Sequence, residues 1–356
     1  NRKAIITVLP LLHRAKKIFN NRRFPIMDKL GLTICICAYN AEKYLVDTLD
    51  SICNQTLTDF NLLVIDDCST DHTREIVKDF LAKKNVNHTE IVILEKNRGT
   101  AYARNYALSH IKTPLMMFFD ADDIAKPDMV QKLYQKISSD ENLIAVSCYC
   151  NYMDSNGKPL RGGLYLGPKT VDEFSQKARN GKMMFMPVQT MFRREWALKA
   201  GGYRQAEWFP QGGVRYEDLS EDVDLWGRMS DFYSDGKIIL TLPEVLFYYR
   251  KNTNTLSTGF AKSRAMGQKM MYIKANQLRR RTSLPELKFA EYWQTLGLIT
   301  KLNFERRNLA TYFYRQACFS WVKRRWFGCV ARLTLGVLLS PGYPLEKYRS
   351  NFKKRK

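Results

Sequence analysis

The spacing of apolar and polar positions changes twice along the chain. Before residue 30, the one clear pattern follows Pro10. Leu11, Leu12, Ala15, Ile18 and Phe19 share one helical face, and His13, Arg14, Lys16 and Lys17 share the other. This spacing predicts a short basic amphipathic helix. From Leu32, short apolar runs alternate with helical periodicity. Leu32–Cys37, Phe60–Ile65, Glu90–Leu94, Leu115–Phe119 and Ile144–Cys150 read as strands, each bounded by polar residues. Between them, 41–54, 73–83, 100–109 and 126–137 read as helices. In the first of these, Tyr44, Leu45, Thr48, Leu49 and Ile52 fall on the inward face. Residues 151–235 are Gly-rich and predict irregular chain, and Ile238–Tyr249 returns to strand. From about 260 the chain becomes helical, basic and aromatic, with a break at Pro285.

Repeated strand–helix units predict a Rossmann-like α/β fold, a mainly parallel sheet flanked by helices. Its ligand crevice should lie at the carboxyl ends of the strands. Asn40, Asp66, Asp67, Asn97, Asp120, Asp122 and Asp123 all fall at those ends. Three parts follow: a basic N-terminal segment (1–29), a catalytic domain (30–259) and a helical basic C-terminal region (260–356). A chain of 356 residues is long enough for such a core plus an extension.

Charge sharpens this division. The hydrophobic fraction of 45% is ordinary, but the net charge is +22. Residues 1–29 carry +7, residues 260–356 carry +18, and the middle is −3. Basic ends either attract a polyanion, nucleic acid or an anionic membrane, or are simply solvated helix faces, with the C-terminal helices forming a cap over the crevice. A nucleic-acid-binding protein would line its crevice with bases, and here the crevice ends are acidic. The large apolar residues between the terminal charges favour a lipid surface. Trp321, Lys323, Arg324, Arg325, Trp326 and Phe327 show that mixture most densely. No run approaches the ~20 apolar residues that cross a bilayer; Cys329–Leu339 is short and contains Arg332. The contact expected is therefore peripheral, on the inner face of the cytoplasmic membrane. There is no signal-peptide pattern. Residue 1 is Asn rather than Met, so further chain upstream is expected. The basic helical C-terminus is also a candidate for pairing subunits.

Eight cysteines stand at 35, 37, 53, 68, 148, 150, 318 and 329. Cys35/Cys37 and Cys148/Cys150 are two apart within strands, without the spacer and second pair of a zinc site. They read as buried free thiols, in keeping with a reducing cytoplasm.

Three acidic clusters carry candidate chemistry. Asp120, Asp122 and Asp123 close the apolar strand Leu115–Phe119. Their mutual repulsion is relieved by a cation with a taste for oxygen, Mg²⁺ or Mn²⁺, which could bridge a diphosphate. The competing reading is a polar loop in which Asp123 caps the next helix. Asp66-Asp67-Cys68-Ser69-Thr70-Asp71 offers either a helix cap or a polar rim for a base and ribose. Glu221-Asp222-Val223-Asp224 supplies a carboxylate able to take a proton from an attacking hydroxyl, with Glu217-Asp218 as a rival.

The order of these pieces resembles the family 2 glycosyltransferases, over roughly residues 32–258. The matching runs are Ala38-Tyr39-Asn40, Ser51 to Gln55, Val64 to Asp71, Asn97-Arg98-Gly99, Ala103-Arg104-Asn105 and Phe119 to Asp123 followed by Pro127. Met191 to Arg194, Gly201-Gly202-Tyr203 and Glu221 to Arg228 complete the series. The resemblance implies a GT-A fold with the helical C-terminal extension outside it. The implied activity is inverting transfer of a sugar from a nucleotide-diphosphate donor, a UDP-sugar first, to a saccharide hydroxyl. The acceptor would be lipid-linked, as in bacterial surface glycan synthesis. By the same resemblance Tyr39 and Asp67 would hold the base, and Asn40 and Asn97 would belong to the donor site. Asp120 and Asp122 would form the D-x-D pair on Mn²⁺ or Mg²⁺, with Asp122 the direct ligand. Asp222 would be the general base and Glu221 would help place the acceptor. Arg104 and Arg250 would lie near the diphosphate. Two departures stand out: Cys37-Ala38 replaces the usual Pro before Tyr-Asn, and Lys251-Asn252 stands where many relatives carry a metal-binding His. A nucleotidyltransferase would share the paired Asp and metal, but it would need a Gly-rich or basic phosphate loop near the first strand, and Ala38–Leu45 has neither. Specificity for sugar, acceptor and linkage is expected from irregular loops such as 162–181 and 208–215.

Overall fold

A computed structural model describes residues 31–84, 89–205, 218–251, 260–322 and 326–342. The N-terminal amphipathic segment, loop 208–215, Glu217, Asn252, Lys323–Arg325 and the Trp321 side chain lie outside the described residues.

The first half follows the predicted order: β1 (Leu32–Ala38), α1 (Leu45–Cys53), β2 (Asn61–Asp66), α2 (Thr73–Lys84), β3 (Thr89–Ile93), α3 (Thr100–His110) and β4 (Leu115–Asp120). β1 and β2 are buried on both faces, which explains why they read as continuous apolar runs rather than alternating ones. β1 pairs in parallel with β2 on one side and β4 on the other, and β2 pairs in parallel with β3. The chain therefore winds outward through β2 and β3, then returns across β1 to β4. Between the carboxyl ends of β1 and β4 lies the switch point at which such sheets open a crevice. Tyr39 and Asn40 follow β1 on one lip; Asp120 ends β4 on the other.

The second half is more ordered than its glycines predicted. After β5 (Ile124–Ala125), α4 (Met129–Ser138) and β6 (Leu143–Met153), the stretch 151–235 contains β7 (Pro159–Leu164), α5 (Val171–Arg179) and β8 (Met191–Arg193). It continues with α6 (Arg194–Lys199), α7 (Glu221–Met229) and a 3-10 turn at Ser230–Asp235. A three-residue strand such as β8 has no periodicity to read, yet it joins the two halves by pairing antiparallel with both β4 and β6. β9 (Ile238–Arg250) runs parallel to β6. The sheet order is β3-β2-β1-β4-β8-β6-β9-β5, with β7 on β6. The predicted parallel sheet thus holds through β4, and the remainder is mixed.

Four helices follow: α8 (Phe260–Arg281), α9 (Phe289–Thr295), α10 (Leu298–Val322) and α11 (Trp326–Leu339). Pro285 falls between α8 and α9, as its missing N–H requires. The beginning of this region is tied to the sheet-bearing half by charge. Arg204 donates to Glu286 at 2.6 Å and lies 3.4 Å from Asp224. Arg280 donates to Asp231 at 2.5 Å and also contacts Glu286, and Arg281 reaches Asp231 at 2.8 Å.

Cys35, Cys148 and Cys150 are buried in the core as free thiols. Burial pushes the Cys150 thiol up to about 12, so it stays protonated and unreactive.

Candidate active site

The site is built where β4, α3 and α7 converge. Asp120 ends β4 with a third of its side chain exposed (32%), while Arg104 on α3 is buried (4%). One arm of the Arg104 guanidinium donates to Asp120 Oδ1 at 3.1 Å, and the other donates to Glu221 Oε1 at 2.5 Å. Burial alone would lower the pKa of Arg104, but the charges of Glu221 and Asp120 overcome it and hold the group above its ordinary value. Arg104 also sits over the Phe118 and Tyr203 rings, which suits a planar, weakly hydrated cation. Sequence placed these residues 117 positions apart at most; the fold joins them into one carboxylate–guanidinium–carboxylate bridge.

On the first turn of α7, neighbouring carboxylates are driven in opposite directions. Asp222 is half-buried, and its Oδ1 accepts the Val223 N–H at 2.8 Å. Burial, and then repulsion from Glu221, push its carboxyl up to about 7. Asp224 is buried too, but it faces Arg228 at 2.8 Å and Arg204, and these hold it below the usual carboxylate range despite burial. A carboxyl near 7 can take up or release a proton close to neutral pH, whereas one held low stays ionised. The rival Asp218 is committed elsewhere: its Oδ1 accepts the Ala101 N–H at the start of α3 at 2.9 Å.

The turn after β4 is held from behind. Asp123 is fully buried rather than capping α4; it accepts the Gln189 amide at 2.6 Å and the Arg250 N–H at 2.8 Å. Burial, and then Asp122 and Asp120, raise its carboxyl well above the ordinary value. Gln189 also lies 3.5 Å from Asp120 Oδ2. Arg250 is buried (2%): its side chain donates to the Asp122 carbonyl at 2.7 Å and stacks on Tyr44 at 4.4 Å. In the structure, then, Arg250 braces the Asp122–Asp123 turn from inside the protein. Nothing in the sequence marked Gln189, because a lone buried amide before a short strand leaves no pattern.

The other lip carries the proposed base-binding residues. Tyr39 is exposed (49%). Asn40 adopts φ 49°, and its side chain accepts the Thr70 N–H at 2.9 Å, locking the turn after β1 to the turn after β2. Asp67 is buried; its two oxygens accept the Arg98 and Gly99 N–H groups at 2.8 and 2.7 Å. It thereby fixes the loop that contains the half-buried Asn97. Gly99 sits at φ 89°, where an added Cβ would meet Asp218 Oδ2 at 2.2 Å. Gly99→Ala is therefore expected to destabilise the protein by about 1–3 kcal/mol, read as a lower urea midpoint at unchanged slope.

Asp120 and Asp122 fit a hard divalent cation in donor chemistry: both are carboxylates, at one strand end, on the crevice. Among the described residues no three His, Cys, Asp or Glu side chains converge on a metal position. Such an ion would complete its shell with water and diphosphate oxygens, as Mg²⁺ commonly does.

A sheet wound to a switch point, an acidic turn at the end of β4 and an acid-bearing helix joined to it through Arg104 make up the site. The chain matches, over residues 33–200, the family model described as glycosyl transferase family 2. It is 37% identical over 114 residues to a teichoic acid poly(glycerol phosphate) polymerase of Staphylococcus epidermidis, covering 32% of this chain and 16% of that protein. The chain spans less than half the length of several curated relatives it matches. Two solved structures share the fold at 18% identity. TarS 1-349 of S. aureus in complex with UDP-GlcNAc has a TM-score of 0.51 and covers 88% of this chain and 92% of that one. The mannosyltransferase PcManGT of Pyrobaculum calidifontis with GDP-Man and Mn²⁺ has a TM-score of 0.52 and covers 86% of each chain.

Proposed function

We propose that the protein transfers a sugar, with inversion, from a nucleotide-diphosphate donor to a saccharide hydroxyl in bacterial surface glycan synthesis. The observation that carries this reading is the contrast on α7, where Asp222 is raised to about 7 while Asp224 is held low. A carboxylate with its pKa near neutrality is suited to accept a proton from an attacking hydroxyl. Asp222 takes that proton as the hydroxyl oxygen attacks the anomeric carbon from the face opposite the leaving diphosphate. Glu221, fixed by Arg104, borders the acceptor position. The donor we favour is a UDP-sugar, with Tyr39 and Asp67 at its base and Asn40 and Asn97 on the turns that frame it. Arg104 lies on the diphosphate side through Asp120, and Arg250 supports the Asp122 turn beneath it. When bound, Mn²⁺ or Mg²⁺ at Asp122 and Asp120 would supply positive charge for the departing diphosphate. The acceptor is taken as lipid-linked, and the station of the enzyme as peripheral, on the cytoplasmic face of the membrane. The relatedness to a teichoic acid polymerase supports the glycan reading, and the basic ends support the membrane.

The test is binding and turnover of UDP-, GDP- and dTDP-sugars by the purified protein with Mn²⁺, Mg²⁺ or EDTA. One nucleotide sugar is expected to bind in a metal-dependent way. Asp122→Ala is expected to weaken that binding by more than about tenfold, or ~1.4 kcal/mol. Metal-independent binding, equal in wild type and Asp122→Ala, would overturn the assignment of the pair.

A further inference from the structure

Among the described residues, nothing covers one apolar face of helix α11. Its inner side packs on α10: Cys329 and Gly336 are buried, and at Gly336 an added Cβ would come within 3.4 Å of the Ala310 carbonyl. The only charged residue of the helix, Arg332, turns inward and donates to Ser320 Oγ at 2.6 Å. The outer side carries no charge at all. Trp326, Phe327, Val330, Leu335, Val337 and Leu338 are each between 43% and 95% exposed, with Phe327 at the upper limit. A water-facing helix ordinarily presents polar residues there, and contiguous apolar surface of this kind marks an interaction site.

We infer that the outer face of α11 lies in the plane of an anionic lipid surface, its apolar side chains entering the acyl boundary. The charge of the flanking sequence selects this occupant. Lys323, Arg324 and Arg325 precede the helix, and Lys347, Arg349 and the run Lys353 to Lys356 follow it, against Glu346 alone. An apolar helix bracketed by bases suits a headgroup layer carrying negative charge. The helix is too short to cross: its 14 residues span about 21 Å, against a hydrocarbon core of ~30 Å, and none of the described helices is long and apolar enough to span a membrane. It therefore rests in the interface. This placement deepens the proposal of a lipid-linked acceptor and rests on it for its purpose, but the surface itself is independent of the transfer chemistry.

The experiment is flotation of the full chain with phosphatidylcholine vesicles, with and without phosphatidylglycerol, at low and high salt. Wild type is compared with Phe327→Glu/Leu338→Glu and with the volume-conserving Phe327→Leu. Wild type is expected to float with anionic vesicles only, and the Glu variant to lose at least tenfold in partitioning, while Phe327→Leu keeps it. Donor hydrolysis is measured on all three and should be unchanged, because these residues lie outside the catalytic site; its loss in every protein would defeat the transfer reading without touching the lipid one. Equal flotation of wild type and the Glu variant would overturn the assignment. So would absence of flotation with a concentration-dependent dimer that the Glu variant dissolves, which would make a second copy the occupant.

Discussion

Replacing Asp222 by Asn is expected to cut sugar transfer by about 10²–10⁴-fold, while metal-dependent donor binding stays within twofold of wild type. Asn keeps the shape and still accepts the Val223 N–H, but it cannot hold the proton. In wild type, kcat/KM should rise with unit slope as pH approaches about 7 and level above it, since the carboxyl must be ionised to act. The variant should show no such limb. Stability moves in the other direction. A carboxyl raised from 3.8 to about 7 on folding binds more protons in the folded state than in the unfolded one across that window. Its contribution to stability is therefore fully present below 3.8 and is lost as pH climbs through about 7. Asp222→Asn escapes this loss, so thermal unfolding should show it more stable than wild type above about 7 and equal to it below 3.8. A variant that is inactive and also destabilised at high pH would point to a structural role instead.

The larger effect on stability is expected at Arg104. Arg104→Met leaves Glu221, nearly buried, and Asp120 without the cation that joins them. Breaking a buried ion pair on one side costs about 3–5 kcal/mol, a large share of the stability of a typical domain. Denaturant unfolding should show that loss, and donor binding should fall with it because Asp120 is no longer held. Removing the stranded charge as well, in Arg104→Met/Glu221→Met, should recover much of the stability and none of the activity. Arg104→Lys is expected to behave closer to Met than to wild type. An ammonium is a point charge on a flexible stem, and the bridge uses two arms of a rigid fork, 3.1 and 2.5 Å from its partners. Failure of the double variant to regain stability would mean that Arg104 acts mainly through its packing on Phe118 and Tyr203.

These two residues also show what the chain discloses before it folds. β1 and β2 were legible because strands buried on both faces are written as unbroken apolar runs, and the acids at the ends of β2 and β4 were legible as polar stops after them. Asp120, Glu221 and Asp222 could be named from that pattern and from the family resemblance. What could not be read was that Arg104 spans two of them, since the pairing depends on how α3 and α7 meet across the sheet. β8 was invisible for lack of length, and with it the order of Gln189 just before it. Asp123 shows the limit of local rules: its position suits a helix cap, but the chain places the carboxylate under the β4 turn, where the Arg250 N–H and Gln189 satisfy it. Arg250 likewise is a long cation whose partners, the Asp122 carbonyl and the Tyr44 ring, lie 128 and 206 positions earlier in sequence.

The charge ladder between α7, the 3-10 turn and α8 bears on how such enzymes are recombined. Asp224 and Asp231 sit on the catalytic side of the β9–α8 junction, and Glu286, Arg280 and Arg281 on the other. A chimaera spliced at that junction, to graft a different C-terminal region onto this catalytic half, would inherit Asp231 without Arg280 and Arg281, and Arg204 without Glu286. Matching sets of these residues would have to travel together, so the unit of exchange runs from Arg204 to Glu286 rather than being the helical region taken alone.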